Sequence, residues 1–267
     1  MQGDSESPAQ RTRIKVTLIA GGKWHDIDFA RLELLKILAE DDRVRVRVFE
    51  DYSNVEAISQ SDALITYTCD VTPSLDEQHV LREYVESGGR WYALHGTNSI
   101  LRFLADWRVD TPRLAPLFME TLGSMFLAHP PIQPFTVNVV KADHPLVRGI
   151  SAFTVSDEQY LVETYGPLEV LLDTTFEGDT ADFVHAKWPK QRHPVFYLNA
   201  LGSGAVLYLT LGHCRGHFDM EPLDAYYAEV ERCAWDSPIY YSLLRRGIDW
   251  MKKQACRVKA PDVSRIV

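Results

Sequence analysis

Ile14-Lys15-Val16-Thr17-Leu18-Ile19-Ala20-Gly21-Gly22-Lys23-Trp24-His25-Asp26 opens as an apolar-rich run that stops at two glycines. Such a run suits a strand buried on both faces, as in a parallel sheet. A helical stripe follows, with Phe29, Leu32, Leu35, Ile37 and Leu38 spaced near 3.6 residues. Val44, Val46 and Val48 alternate with Arg43, Arg45 and Arg47, the pattern of a half-exposed strand. Ala63 to Tyr67 reads as a third strand. Thr72-Pro73-Ser74 starts a helix over Leu75 to Glu86, which Gly88-Gly89 closes. Trp91 to Leu94 makes a fourth strand and runs into His95-Gly96-Thr97-Asn98. Strand alternating with helix predicts an α/β fold with a doubly wound, mostly parallel sheet.

The second half differs. Prolines at 112, 116, 130, 131 and 134 predict an irregular excursion over 107–135 with one short helix. Extra strands are expected at 135–140, 152–156, 168–175, 194–200 and 204–210, with Gly202-Ser203-Gly204 turning the last hairpin. A helix over Pro238 to Lys253 closes the domain. Residues 1–12 read as a disordered tail, 13–253 as one domain and 254–267 as a solvated tail.

Composition narrows the function. The chain has 267 residues with 28 Lys plus Arg against 37 Asp plus Glu, a net charge of −9. That disfavours a nucleic-acid partner, which calls for a basic face. The longest apolar run, Ala205 to Leu209, is far short of the ~20 residues of a membrane span. Four scattered cysteines with no CxxC spacing fit reduced thiols, and a cytoplasmic protein is expected. GxGxxG, P-loop and GxSxG motifs are all missing, so no nucleotide cofactor is expected.

Nine histidines carry the chemical signal. His25, His95 and His213 each follow a strand, and parallel sheets bind ligands at their carboxyl-terminal strand ends. Imidazoles gathered there serve as metal ligands or as acid/base groups. Asp157-Glu158 follows another strand. Alternation allows one inward carboxylate, and Glu158, which shares parity with Tyr160, is taken as that one. His129 lies in the excursion, which could fold over the strand ends as a lid. His144 fits a turn, and His79, His185 and His193 are assigned to the surface. Cys69 and Cys214 are candidate nucleophiles, with a buried thiol as the plainer reading of Cys69. Residues 217–236, with six acids, read as a lid, an oligomer contact or a solvated helix.

The residues resemble the trehalose-utilisation (ThuA-like) family. The resemblance lies in Gly21-Gly22 with His25-Asp26, Tyr84 through Gly89, Ala93-Leu94-His95-Gly96, Asp143-His144-Pro145 with Gly149-Ile150, Phe153, Asp157 through Tyr160, Gly204 through His213, and Arg246 through Trp250. It implies a flavodoxin-like fold related to class I glutamine amidotransferases. There the turn after a central strand carries a cysteine, whereas the matching residue here is His95, so amidotransferase chemistry is not expected. Residues 217–236 are longer than the usual family spacing. The resemblance implies carbohydrate catabolism, a 3-keto sugar as substrate and a metal such as zinc.

The resulting expectation is an enzyme acting on a sugar or 3-keto glycoside by elimination, hydrolysis or isomerisation. His95, Glu158 and His213 are its expected catalytic groups, and His25, His95 and His213 its ligands for one divalent metal ion. Trp24, Asp26, Asn98, His129, Tyr160 and Trp188 are the expected substrate contacts, with Asn98 and nearby N–H groups holding an oxyanion. A sugar oxidoreductase is the expected functional partner, and a homo-oligomer is one reading of the assembly. The rival expectations are a non-catalytic sugar-binding or regulatory module and a cysteine-dependent amidase.

Overall fold

The computed structural model describes residues 13–253. The tails expected at 1–12 and 254–267 lie outside the described residues. The first half runs β1 (Ile14–Gly22), α1 (Ile27–Leu38), β2 (Val44–Phe49), α2 (Val55–Ser59), β3 (Ala63–Cys69), α3 (Leu75–Glu86) and β4 (Arg90–Leu94). A 3-10 turn over His95–Asn98 follows, then β5 (Arg102–Phe103), β6 (Val109–Asp110), α4 (Pro116–Leu122), β7 (Ser124–Ala128), β8 (Gln133–Val139), β9 (Phe153–Asp157) and β10 (Leu161–Thr164). The chain ends with β11 (Glu169–Asp179), β12 (Lys187–Leu201), β13 (Gly204–Leu209) and α5 (Pro238–Lys252).

One nine-stranded sheet has the order β2-β1-β3-β4-β13-β12-β11-β8-β9. From β2 to β13 neighbours are parallel; from β13 to β9 they are antiparallel. Alternation decides the two faces. Leu18, Tyr92, Leu94, Leu207 and Leu209 pack towards α1 and α5. Ile19, Trp91, Ala93, Val206 and Tyr208 pack towards α3 and α4. Each such large apolar side chain contributes roughly 1.5–3 kcal/mol on burial, which is why these strands are apolar throughout. α3 begins where the sequence places it, because Ser74 Oγ accepts from Glu77 N at 3.4 Å and Glu77 Oε2 accepts from Ser74 N at 2.8 Å.

Three local expectations are corrected. The excursion over 107–135 holds β7 as well as α4, and β7 pairs antiparallel with the unforeseen β10. All five residues of β7 are buried, so the strand lacks the alternation that would have revealed it among the prolines. α2 was also not foreseen. Residues 217–232 form turns rather than a surface helix, and the 3-10 turn Cys233–Asp236 follows. Among the described residues, no helix is long and apolar enough to cross a membrane.

Candidate active site

β1, β3, β4 and β13 are parallel neighbours, so their carboxyl ends share one edge. The approach there is tight. Gly22 has φ +108°, and a Cβ on it would stand 1.8 Å from the Cys69 carbonyl oxygen. A Cβ on Gly96 would stand 2.8 Å from the Thr68 carbonyl oxygen. These close approaches let the chain after β1 and the chain after β4 face one another. His95 occupies the sharp turn after β4 at φ +41°, a costly conformation for a residue other than glycine.

His25, His95, Glu158 and His213 are all buried, and one ligand atom from each lies within 4.8 Å of the others. His25 Nε2 stands 2.8 Å from His95 Nε2. Glu158 Oε2 lies 3.4 Å from His95 Nε2 and 3.9 Å from His25 Nε2. Glu158 Oε1 lies 3.1 Å from His213 Nδ1, which has no hydrogen-bond partner. The outer nitrogens are all engaged. His25 Nδ1 donates to the Lys23 carbonyl at 3.3 Å, His95 Nδ1 to the Thr210 carbonyl at 2.8 Å, and His213 Nε2 to Glu231 Oε2 at 2.8 Å. A neutral imidazole carries one N–H. With that N–H turned outward on His25 and His95, their two inner lone pairs face one another beside the Glu158 carboxylate, which also pairs with His213 Nδ1.

Burial pushes His25 and His95 below the usual histidine range. Burial opposes charge on His213 too, but Glu158 and Glu231 outweigh it and raise the group to about 9. Burial would raise Glu158, yet His129 and His213 outweigh it and hold the carboxyl well below its ordinary range. His129 Nε2 lies 3.3 Å from Glu158 Oε1, and Tyr160 Oη lies 3.2 Å from His95 Nε2.

The site opens into a cavity of about 720 Å³. Trp24, His25, His129, Glu158 and Tyr160 line it. Three other expected contacts stand elsewhere. Asp26 caps α1, accepting from Phe29 N at 3.0 Å, and pairs with Arg232 at 3.0 Å. Asn98 is buried; its side-chain amide nitrogen donates to Ser124 Oγ at 2.7 Å and its backbone N–H to Tyr208 Oη at 2.8 Å, while its Oδ1 has no hydrogen-bond partner. Trp188 donates to the His185 carbonyl at 2.8 Å and braces the β11–β12 ribbon. His193 is also corrected. It is 1% exposed, unlike His79 and His185, and accepts from Val162 N at 3.2 Å.

Asp157 and Glu158 are both buried, but they do different work. Asp157 accepts from Glu158 N, Gly212 N, His213 N and Ala234 N at 2.7–3.2 Å. It ties the end of β9 to the loop after β13 and so carries Glu158 to the histidines. Cys69 and Cys214 are buried, and burial raises Cys69 well above the usual thiol range and Cys214 to about 12. Neither offers a thiolate near neutral pH.

Sequence reasoning missed Glu231 and Arg215. Their backbones pair as an antiparallel bridge, with N–O distances of 3.0 and 2.9 Å, and Arg215 Nη2 donates to Glu231 Oε2 at 2.5 Å. Residues 216–230 therefore form an Ω-loop closed at its neck. Only the acidity of 217–236 hinted at it, and nothing local singles out Glu231.

The sheet order, with a histidine on the turn after β4, defines an α/β protein of the class I glutamine amidotransferase-like architecture. The chain belongs to the ThuA family, described as trehalose utilisation, which it matches over residues 15–228. A ThuA-like protein from Bacteroides uniformis is 19% identical with a TM-score of 0.61, over 93% of this chain and 95% of that one. One from Parabacteroides merdae is 17% identical with a TM-score of 0.59, over 91% of each chain. A cytoplasmic protein from Salmonella typhimurium is 14% identical with a TM-score of 0.52, over 89% of this chain and 98% of that one. At these identities the likeness is one of fold. No curated protein matches the chain.

Proposed function

We infer that the protein is a carbohydrate-catabolism enzyme that acts on an oxidised, 3-keto glycoside at a divalent cation held by His25, His95, His213 and Glu158. The observation that carries this reading is the 2.8 Å approach of two imidazole nitrogens whose partner nitrogens both donate to carbonyls. Two lone pairs at that distance repel unless a cation or proton lies between them. Burial disfavours the proton on both rings. Donors on one tetrahedral ion with bonds of ~2.0–2.2 Å stand about 3.3–3.6 Å apart. The separations among His25, His95 and Glu158, 2.8, 3.4 and 3.9 Å, bracket that value, and all four ligand atoms lie within 4.8 Å of one another. Outer nitrogens tied to carbonyls and a carboxylate are the usual support of metal-binding histidines.

When bound, such a cation supplies Lewis-acid polarisation of a substrate carbonyl. The chain's residues supply the rest. Trp24, Phe126 and Tyr160 line the cavity in which a sugar would sit. His129, at the cavity wall and less buried than the other site histidines, is the base. In the elimination its Nε2 takes the proton from C2, beside the C3 carbonyl. The C1–C2 double bond forms as the bond from C1 to the aglycone oxygen breaks; the departing oxygen takes a proton from solvent water, and His129 later returns its proton to solvent. Tyr160 Oη, 3.2 Å from His95 Nε2, would hold a substrate oxygen. A sugar oxidoreductase would supply the 3-keto group, and a cytoplasmic setting suits that pairing.

Elemental analysis of protein purified without added metal tests the cation, and NMR of a 3-keto glycoside mixture tests the chemistry. Near-stoichiometric zinc or a similar ion, lost in His95→Ala, is expected. Release of aglycone that falls ~10²–10⁴-fold in His129→Ala is also expected. Turnover without metal would leave histidine–glutamate chemistry, with His213 paired to Glu158. Saturable sugar binding with no product would make the protein a binding module.

A further inference from the structure

The cavity changes character with distance from the four ligands. Its floor is polar: His25, His129, Glu158 and Tyr160 all present heteroatoms there. Its walls are not. One wall comes from the β5–β6 ribbon and its flanks, with Leu101, Phe103 and Val109. The Ω-loop adds Met220, Leu223 and Tyr226 to the lining. Arg215 and Glu231 also reach this space but are already paired with one another. Asp182 stands exposed at the rim. Trp107 and Tyr226 are 62% and 84% exposed, large apolar surfaces left uncovered beside the opening.

A second sugar ring would suit this outer space poorly. A hydroxyl turned against Leu101, Val109, Met220 or Leu223 would find no partner in those side chains, and an unpaired buried hydroxyl costs roughly 1–3 kcal/mol. An aryl or branched alkyl group has no such groups to satisfy and gains about 25 cal/mol for each Å² it buries. We propose that the outer compartment, between the β5–β6 ribbon and the Ω-loop, binds an apolar aglycone, so that the substrates are oxidised glycosides of phenols or hydrophobic alcohols rather than disaccharides. Leu223 and Val109 are its specificity-determining residues. This rests on the reading of the floor as the sugar site.

Calorimetric titration of the intact, metal-loaded protein with three compounds that share one oxidised ring tests the proposal. They are the methyl 3-keto-glucoside, the phenyl 3-keto-glucoside and a glucosyl-glucoside oxidised at the same position. Tenfold or tighter binding of the phenyl compound over both others is expected. Leu223→Asp, a change on the loop rather than in the sheet, should narrow the phenyl-to-methyl ratio about tenfold. Binding of the methyl compound with no phenyl advantage, or with tighter binding of the disaccharide, overturns the proposal and leaves the sugar site standing. An unchanged ratio in Leu223→Asp, with the phenyl advantage present, removes the assignment of the preference to the Ω-loop wall. Binding of none of the three overturns the sugar site and this inference together.

Discussion

His95 holds a strained backbone, a buried ring and a place among four converging ligands at once. The sequence placed it, with His25 and His213, by the rule that parallel strands offer their carboxyl ends to ligands. Strand parity likewise singled out Glu158. Asp26, Asn98 and Trp188, expected by the same reasoning, do not line the cavity, because polarity near a strand end does not say which neighbour claims the side chain. A helix cap, a serine and a backbone carbonyl claimed these three. Asp157 shows the limit most clearly, since parity excluded it from the site and its structural task lay in four N–H groups from distant segments. Asp157→Asn would turn an amide NH₂ towards those donors. It should lower stability by about 2–3 kcal/mol, read as a drop in the urea midpoint with the slope unchanged. An unchanged midpoint would mean that the N–H groups find other acceptors.

At the scale of elements, β7 and β10 were illegible, since short buried strands lack a period of two. Their pairing matters because it carries Phe126 and the start of His129's loop to the cavity. His193 on β12 ties into this ribbon by accepting from Val162 N. Burial lowers its pKa to about 4 from 6.5. The unfolded chain therefore takes a proton on His193 as pH falls through about 6.5, while the folded chain resists until about 4. The unfolded state binds more protons in that window, so stability falls with pH there, by about 2 kcal/mol at pH 5 from this residue alone. Urea unfolding at pH 7 and pH 5 should show a smaller difference in His193→Gln than in the parent protein. Equal differences would remove the assignment.

The Ω-loop was legible only as an acidic stretch. At its neck, Glu231 accepts from His213 Nε2 and orients the imidazole from outside. Glu231→Gln keeps an acceptor but loses the charge, and cation affinity in a chelator competition should fall ~10–100-fold. An unchanged affinity would confine Glu231 to closing the loop.

Across the whole molecule, the alternation of strand and helix made the parallel half legible, down to the bounds of α3. The order of the antiparallel half was not, because nothing local says that β13 returns to lie beside β4. If a cation is held as proposed, it binds only the assembled sheet. At a thousandfold excess over its dissociation constant it should then add about 4 kcal/mol to unfolding. A melting temperature that climbs with added zinc and drops with chelator would meet this expectation; one indifferent to both would contradict it.

The return of β13 to β4 also sets an order of events during synthesis. β1 to β4 are complete by residue 94, and His25 and His95 emerge with them. Glu158 and His213 follow much later, and β13 must still find the exposed edge of β4. A nascent chain still on the ribosome at its midpoint thus holds half a binding site, with its central strand unpartnered on one side. Until the last third of the protein has been made, that open edge is what a chaperone would meet.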